Sequence, residues 1–536
     1  MKHLYSFLLS ALVCLSLSAQ NKVSGDSLAA DFHYLVKQLE AAHPDPYTGF
    51  GGKVFFHKQA FNLENELRSQ PHTLQEFWDK SMAFLSFIQD GHTYLFSLAS
   101  KQQQKQSYLP VGFRCIPDGL IVQSLPAAHQ DLLGSLLVGI NGKSMDELLA
   151  RTASLFACEN LYNRYSVFCR NVVRRQFMQQ LLPDLEDTVC FYLRTPDGKD
   201  VTLEQHFMEN EELRKAEKVN LPSWVGCPEE QMAYRFIDKK KEVMMFKVNS
   251  IMARDNFEYM YKHMKGDLLR QMEFYYQNAL KKEMPADTLQ AIRALPSFSG
   301  TFAAMLKEMK KHHSEYLIID LRGNSGGWTP IVLASLYQLY GDKYLQKDMD
   351  TEYYRIVSPL YMNKLEITLE EFNRRYGTDY SFGDYTFSMK EQEDIPLDTL
   401  RRQFIDGCMS SVKEELRAQK GAPVYAPKQV IVVTDERTFS AAFHYAFMLW
   451  KMGATVVGVP SGQAPNTFME QTLFKLPYTG IEGSISNSVQ IFLPGKDKRA
   501  KTFWPDVMLT YDEYKQTGFD KQAEILFLLN KIGQEK

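Results

Sequence analysis

The sequence lacks the features that mark several large classes of protein. Its 61 basic and 64 acidic side chains give a net charge of -3, and there is no long basic run, so its charge offers no case for nucleic-acid binding. None of its 7 cysteines forms a C-x-x-C pair, which argues against a zinc site, and we expect neither a metal nor a cofactor. Beyond the N-terminus no apolar run is long enough to cross a bilayer, so we expect no transmembrane segment.

The N-terminal stretch is apolar but short. A lysine at position 2 precedes an apolar run from Leu4 to Leu17, and small residues lead up to Ala19. This pattern is typical of a secretory signal peptide, here residues 1–19, so we expect export to the periplasm or the cell exterior. Anchoring as a lipoprotein through Cys14 is the lesser alternative, because the residue before this cysteine is a valine rather than a small residue.

Hydrophobic patterns divide the remaining chain, which is long enough for more than one core. Residues 20–106 predict a helical N-terminal domain, in which the first helix must stop before Pro44 because a proline cannot continue it. Residues 107–215 predict a small β module with hairpin patterns. Residues 216–536 predict an α/β unit with a parallel sheet, interrupted at about 341–426 by a polar and irregular insertion.

A buried strand followed by glycines stands out in the α/β unit. Residues 316–319 (YLII) are apolar and rich in β-branched side chains, as expected of a strand buried on both faces of a parallel sheet. Gly323, Gly326 and Gly327 follow where this strand must end. Glycines let backbone N–H groups approach a ligand, and strand ends are where open α/β sheets place their sites. The segment therefore predicts a functional site, with a plain strand-to-helix turn as the alternative.

A second strand-to-helix turn carries Ser440. Residues 430–433 predict a buried strand, Ala441 begins a helix, and residues 454–459 predict the next strand, so together they make a βαβ crossover. Ser440 occupies the position of a nucleophile elbow, although the glycines of G-x-S-x-G are absent. A serine there needs a base to become a nucleophile, and the N–H of Ala441 can bind an oxyanion. The alternative is that Ser440 is only a helix N-cap.

Four motifs in combination indicate a family. They are D-L-R-G-N-S-G-G, T-F-S-A-A, G-V-P-S-G and W-P-D-V, spread over roughly residues 240–515. These motifs resemble the tail-specific (C-terminal processing) serine peptidase family. The resemblance implies a multidomain α/β fold with a crotonase-like (ClpP-like) α/β catalytic core beside the N-terminal helical region. The upstream G-x-L-L-V-x-I-N-G-K segment is similar to part of a PDZ domain, so the β module is expected to be PDZ-like.

Two positions depart from the family pattern. Ala464 or Pro465 stands where the general-base lysine of the family is expected, and Phe443 replaces a glutamate that commonly follows the nucleophile. The D-G-H-T motif at 90–93 resembles that of a tricorn-like branch, in which a histidine from the N-terminal region is the base. The resemblance therefore implies that His92 takes the place of the lysine.

The same resemblance implies the rest of the site. Gly326 or Gly327, together with Ala441, would supply the backbone donors of an oxyanion hole. A late acidic residue would orient the catalytic histidine, and Glu482 and Asp506 are the two candidates in the sequence. A histidine of near-neutral pKa is a suitable base for a serine hydroxyl. We therefore predict an exported serine endopeptidase that acts on peptide or protein substrates.

Three alternatives remain open. The G-N-S-G-G segment resembles the G-D-S-G-G of chymotrypsin-like proteases and would make Ser325 the nucleophile, but that fold is all-β. His444 lies one helical turn beyond Ser440 and is a second base candidate, ranked below His92 because it would remain beside its helix. The protein could also be an inactive family member that binds a peptide or hydrophobic ligand, as the similar retinoid-binding repeats of a photoreceptor matrix protein do. The sequence indicates no oligomeric state.

Overall fold

The computed structural model describes residues 22–98, 106–264, 266–349, 351–387 and 395–534. The predicted signal peptide, residues 1–19, lies outside the described residues. Within the described ranges, no helix combines the length and the apolar character that crossing a membrane requires.

The described part of the N-terminal region is mainly helical, as its pattern predicts, and contains three α-helices. Helix α1 is capped by the Ser24 hydroxyl and ends immediately before His43, so it stops just ahead of the proline at position 44. Helix α3 begins with a capping box between Thr73 and Glu76. The elements are α1 (Gly25–Ala42), α2 (Lys53–Ser69), α3 (Leu74–Ser86), β1 (Lys22–Val23), β2 (His72–Thr73) and β3 (Tyr94–Leu95).

The next region is a mainly antiparallel sheet covered by short helices. Its strands are β4 (Ser107–Tyr108), β5 (Gly112–Ile116), β6 (Gly119–Pro126), β7 (Leu136–Ile140), β8 (Lys143–Ser144), β9 (Thr188–Arg194), β10 (Asp200–His206), β11 (Met208–Glu209) and β12 (Lys218–Asn220). Its helices are α4 (Met145–Leu155), α5 (Leu161–Asn171), α6 (Arg175–Leu181) and α7 (Asn210–Lys215). Seven strands form one sheet in the order β10-β9-β7-β6-β12, with β5 beside β6 and β8 beside β7.

The third region contains the predicted parallel sheet. Its strands are β13 (Met232–Phe236), β14 (Val243–Val248), β15 (Tyr316–Asp320), β18 (Gln429–Thr434) and β19 (Thr455–Gly458). The order is β13-β14-β15-β18-β19, and all pairs are parallel except β13 with β14. Because β15 and β18 are neighbours, the glycine-rich turn after β15 and the Ser440 turn after β18 meet at one edge of the sheet.

Helices pack on both faces of this sheet. They are α8 (Arg254–His263), α9 (Leu268–Tyr275), α10 (Thr288–Ala294), α11 (Phe298–His312), α12 (Pro330–Tyr340), α18 (Ala441–Lys451), α19 (Tyr511–Gln516) and α20 (Ala523–Gln534). One core joins α11, α12 and α18 to the sheet, and a second core joins α20 to its other face. The predicted strand–helix–strand unit around Ser440 is therefore confirmed, and the whole chain is a mixed α/β multidomain fold.

The expectation of an irregular insertion at about 341–426 is wrong for most of its length. The segment forms α13 (Asp342–Leu345), α14 (Pro359–Leu365), α15 (Leu369–Tyr376), α16 (Leu397–Gly407), α17 (Lys413–Ala418), β16 (Glu352–Ile356) and β17 (Tyr385–Phe387). Two small clusters of buried apolar side chains stabilise it, one around Phe372 and one around Ile405. These apolar residues are diluted among polar ones, which hid the helical periodicity.

A last sheet joins the N-terminal region to the α/β unit. The hairpin of β20 (Asn466–Lys475) and β21 (Glu482–Ile491) pairs with β16 and with β3. The buried carboxylate of Asp31, on α1, also accepts hydrogen bonds of 2.8 Å from the N–H groups of Tyr478 and Thr479 at the hairpin turn. The loop between α3 and β3, which carries the D-G-H-T motif, is therefore held against the α/β unit.

Candidate active site

Ser440 lies at a strained turn between β18 and α18. Its backbone has φ 52° and ψ -127°, a region that costs a residue with a side chain about 1–3 kcal/mol. It occupies the N-cap position of α18, but its side chain makes no capping hydrogen bond. The backbone N–H of Ser440 instead donates to Oε1 of the fully buried Gln463. The hydroxyl is thus not used in the way that the N-cap alternative requires.

The glycine-rich turn after β15 lies directly against Ser440. A Cβ atom at Gly326 (φ 108°) would lie 2.7 Å from the Cβ of Ser440 and 2.9 Å from the nitrogen of Ala441. Only glycine therefore allows this approach. The N–H of Gly326 donates to Oδ1 of Asn324 at 2.9 Å, whereas the N–H of Gly327 has no acceptor among the described residues. Of the two predicted glycine donors, Gly327 is thus the free one.

Asn324 fixes the position of this turn. Its Nδ2 donates to the carbonyl of Val248 at 2.9 Å, and its carbonyl accepts the N–H of Phe439 at 3.1 Å. Through its side chain to Val248 and its backbone carbonyl to Phe439, this buried residue connects the ends of three neighbouring strands. Ser325, the alternative nucleophile, is exposed on the same turn and makes no hydrogen bond to a described histidine.

His92 comes to the same place from the N-terminal region. Its ring lies 4.9 Å from the ring of Phe439, the residue before Ser440. The N–H of His92 donates to Asp90 at 2.9 Å, and its carbonyl accepts the hydroxyl of Ser484 on β21 at 2.7 Å. His92 and Ser440 both line a cleft of about 2550 Å³, together with the glycine-rich turn.

Two carboxylates face the His92 ring. Nδ1 of His92 lies 3.9 Å from Oδ1 of Asp90 and 3.9 Å from Oε1 of Glu159. Both carboxylates are buried, and neither ring nitrogen of His92 makes a hydrogen bond of acceptable geometry with a described residue. Asp90 also accepts the hydroxyl of Thr93, and a hydrogen bond of 3.3 Å from Nε2 of His43. Since Nδ1 of His43 accepts a backbone N–H, Nε2 carries the hydrogen of the neutral ring.

The surroundings shift the pKa values of the two carboxyl groups in opposite directions. Although burial opposes it, the hydrogen bond from His43 and the electrostatic attraction of the two imidazoles lower the pKa of Asp90 to about 2. Burial, together with the negative charge of Asp90, raises the pKa of Glu159 to about 8. Burial lowers the pKa of His92, and the charge of Asp90 and the backbone of Phe468 oppose that shift. The first carboxylate is therefore ionised throughout the neutral range, whereas the second loses its proton within it.

Neither predicted orienting acid lies beside His92. Glu482 is half-exposed at the start of β21 and pairs with Lys475 at 3.5 Å. Asp506 is exposed and accepts the N–H of Val456 at 2.8 Å, beside β19. Glu159, which sequence reasoning missed, lies between α4 and α5 and has no motif around it. Its side chain meets the site only because the β-rich region packs against the D-G-H-T loop.

His444 is already fully hydrogen-bonded and cannot serve as the base. Its Nε2 lies 2.8 Å from Oε1 of Gln490, whose amide nitrogen donates to the carbonyl of Pro465. Nε2 therefore carries the hydrogen, and Nδ1 accepts the hydroxyl of Thr329 at 2.8 Å. Burial lowers the pKa of His444 to about 4, despite its hydrogen bond with Gln490. A neutral ring with both nitrogens occupied has no site for the proton of Ser440.

The loop after β19 presents an amide where the family would have an ammonium group. Gln463, next to the predicted position at Ala464, is the residue whose side chain contacts Ser440. The N–H of Ala464 donates to Oε2 of Glu159 at 2.9 Å, so this loop also holds the carboxylate in place. Phe443 packs in an aromatic cluster with Phe492 rather than facing the cleft.

With this geometry in place, the chain can be compared with known proteins, and part of it matches a family. Residues 291–482 match the model of peptidase family S41, which confirms the predicted tail-specific peptidase family. The crystal structure of mature CPAF superposes with a TM-score of 0.55 at 14% identity, covering 95% of this chain and 98% of that chain. Mature CPAF complexed with lactacystin gives a TM-score of 0.53 at 14% identity, covering 94% of this chain and 97% of that one. At this identity the two structures show a shared fold.

A putative S41 protease from Bacteroides fragilis NCTC 9343 is more distant, with a TM-score of 0.38 at 11% identity, over 94% of this chain and 97% of that one. No curated protein matches the sequence significantly.

Proposed function

We propose that the protein is an exported serine endopeptidase in which Ser440 is the nucleophile and His92 is the general base. The observation that carries this proposal is the packing of the His92 ring on Phe439, the residue before Ser440. Two segments far apart in the chain thereby place a serine on a strained turn and a buried histidine in one cleft. Membership of a serine peptidase family supports the same chemistry.

The groups of the site suit each step of peptide hydrolysis. As the oxygen of Ser440 attacks the scissile carbonyl, Nε2 of His92 accepts the hydroxyl proton, and it later gives this proton to the leaving amine. Asp90 and Glu159 lie beside Nδ1 and stabilise the imidazolium that forms between these transfers. A water, deprotonated by the same ring, then hydrolyses the acyl-enzyme. No lysine takes part in this mechanism.

The oxyanion is bound by backbone donors. The N–H of Ala441 is the first of α18, where no intrahelical acceptor exists and the helix dipole favours negative charge. The N–H of Gly327 is the second donor, because that of Gly326 is held by Asn324. In this assignment Gly326 provides close approach rather than a hydrogen bond. Such donors contribute about 2.7–4 kcal/mol each to stabilisation of a transition state.

The organisation of the chain is part of the proposal. We assign residues 20–106 as the domain that supplies the base, 107–215 as a PDZ-like module and 216–536 as the crotonase-like catalytic core. Residues 341–426 are an insertion in that core. The apolar run before Ala19 supports export.

A covalent probe tests the central assignment. We expect a fluorophosphonate to label Ser440, and we expect Ser440→Ala and His92→Ala to lower peptide hydrolysis by about 1000-fold or more. Ser325→Ala is the matched control, since this serine lies on the opposite turn of the same cleft, and it should leave labelling intact. If both active-site variants hydrolyse peptides like the wild type, the assignment is wrong.

The same experiment decides between catalysis and binding. The cleft wall carries apolar side chains that are largely exposed, including Phe274 (68%) and Leu473 (42%), which suit an apolar ligand or peptide. An inert Ser440 in a protein that still binds a fluorescent apolar peptide would establish the binding function. Labelling that requires His92 would establish the peptidase.

A further inference from the structure

The buried charges around His92 are not balanced by a permanent cation. The side chain of Asp90 is 0% exposed and that of Glu159 is 1% exposed, yet neither pairs with a lysine or an arginine in the described part of the chain. Two carboxylates that share a buried site are costly unless a proton or another cation lies between them. The group that faces both of them is the imidazole of His92.

One ligand atom from each of these three residues lies within 4.8 Å of the other two. The side chain of His92 is 8% exposed, and both its ring nitrogens are without an acceptably placed partner in the described residues. Its Nδ1 points into the space between the carboxylates, 3.9 Å from each. An acidic pair with an unpartnered, buried imidazole aimed into it is an arrangement of metal ligands.

The donor set suits a transition-metal ion. Zinc binds imidazole nitrogen at about 2.0–2.1 Å and carboxylate oxygen at about 2.0–2.2 Å, so tetrahedral ligand atoms lie about 3.4 Å apart. The 3.9 Å separations must therefore close by about 0.5 Å, and the two carboxylate oxygens, which lie within 4.8 Å of each other, must also reach about 3.4 Å. Magnesium and calcium prefer sets made of oxygen only, and they would not favour an imidazole.

The outer contacts of the carboxylates resemble those of a prepared metal site. His43 donates to the oxygen of Asp90 that faces away from His92, and Ala464 donates to the far oxygen of Glu159. Such contacts orient ligands. The near oxygens accept the backbone N–H groups of His92 and Gly91, and each keeps a second lone pair that a metal can use. Asp90 and His92 also line the cleft, which provides an entry path for an ion.

We propose that Asp90, His92 and Glu159 form an inhibitory binding site for a divalent transition-metal ion, with Zn²⁺ as the preferred ion. The inhibition, though not the binding, rests on the proposed function. When the metal holds Nδ1, the neutral ring carries its hydrogen on Nε2 and cannot accept the proton of Ser440. Metal binding and catalysis therefore exclude each other at the same histidine. The absence of C-x-x-C pairs in the sequence does not bear on this site, because its ligands are not cysteines and come from two distant segments.

Binding is measured without relying on activity. The full chain carrying Ser440→Ala is freed of metal with a chelator and titrated with ZnCl₂ by calorimetry. We expect one ion per chain with a Kd of about 1 μM or tighter. Adding Glu159→Gln should weaken binding by about 100-fold or more, beyond the 10–100-fold typical for loss of an outer contact. Glu366→Gln, a cleft-lining glutamate outside the cluster, is the matched control and should bind as the parent does.

Further measurements keep the test decisive. If Glu159→Gln does not fold, as judged by circular dichroism, His92→Gln carries the comparison, and Co²⁺ absorption bands report directly on coordination. A Kd weaker than about 1 mM in the parent, or equal affinity in the cluster variants and Glu366→Gln, overturns the site. In the wild type, Zn²⁺ should inhibit hydrolysis and a chelator should restore it. Zn²⁺ binding in a chain without hydrolytic activity would refute the proposed function and leave the site standing.

Discussion

Replacing Gly326 by alanine tests whether the glycine-rich turn serves the nucleophile. The new Cβ would lie 2.7 Å from the Cβ of Ser440 and 2.9 Å from both the nitrogen of Ala441 and the carbonyl oxygen of Phe439. Two of these three atoms are backbone, so no side-chain rotation relieves the collision. The turn or the nucleophile must move.

Replacing the neighbouring Gly323 by alanine is a control that distinguishes the effect of this collision from the effect of backbone strain. Gly323 also has a positive φ, 78°, but a Cβ placed there meets nothing within 4 Å. Alanine at either position adds strain of about 1–3 kcal/mol, so both variants should lose stability. Only Gly326→Ala should displace the reacting groups. A misplacement of about 1 Å costs about 100-fold in rate, equivalent to about 2.7 kcal/mol in the barrier.

The measurements are kcat/KM with a fluorogenic peptide, the rate of fluorophosphonate labelling, and the thermal midpoint of each variant. We expect kcat/KM to fall by about 100-fold in Gly326→Ala and by less than about threefold in Gly323→Ala. Equal losses in the two variants would show that strain alone accounts for the effect. Full activity in Gly326→Ala would refute the assignment of this turn to the site.

Three further predictions concern other contacts. Glu524→Gln leaves Arg114 and Arg322 without their shared buried carboxylate and should lower the free energy of unfolding by about 3–5 kcal/mol in a denaturant titration, and a loss below about 1 kcal/mol would contradict this. Burial raises the pKa of Asp79 to about 6, so ionising this carboxyl is less favourable in the folded than in the unfolded protein. Its contribution to the free energy of unfolding therefore falls as the pH rises from about 4 to about 6. The free energy of unfolding of Asp79→Asn should therefore exceed that of the wild type by up to about 2 kcal/mol at pH 8 but not at pH 4. The same difference between variant and wild type at both pH values would refute this prediction. Gln463→Ala removes the acceptor of the nucleophile's N–H and should lower kcat by about 10-fold with KM unchanged, whereas wild-type kcat would show that this contact does not position the serine.

The local chemistry of the chain determines many of its helices and strands and the positions of two proposed site residues. The apolar, β-branched run at 316–319 becomes a fully buried strand because every side chain in it excludes water on both faces of the sheet. Helix α1 ends at Ala42 because the proline at position 44 cannot continue a helix, whatever packs around it. The sequence also marks the turns that carry Ser440 and His92, the residues we propose as nucleophile and base, because each turn follows a recognisable element.

Only the tertiary structure decided which groups surround these two residues. Glu482 was a sound choice by chemistry, yet the register of β21, in which Ser484 pairs with Tyr94, leaves it beyond the D-G-H-T loop and in contact with solvent. Glu159 has no local signal, because a carboxylate becomes unusual only when other segments bury it. Burial and proximity are properties of the packed chain, and no window of sequence contains them.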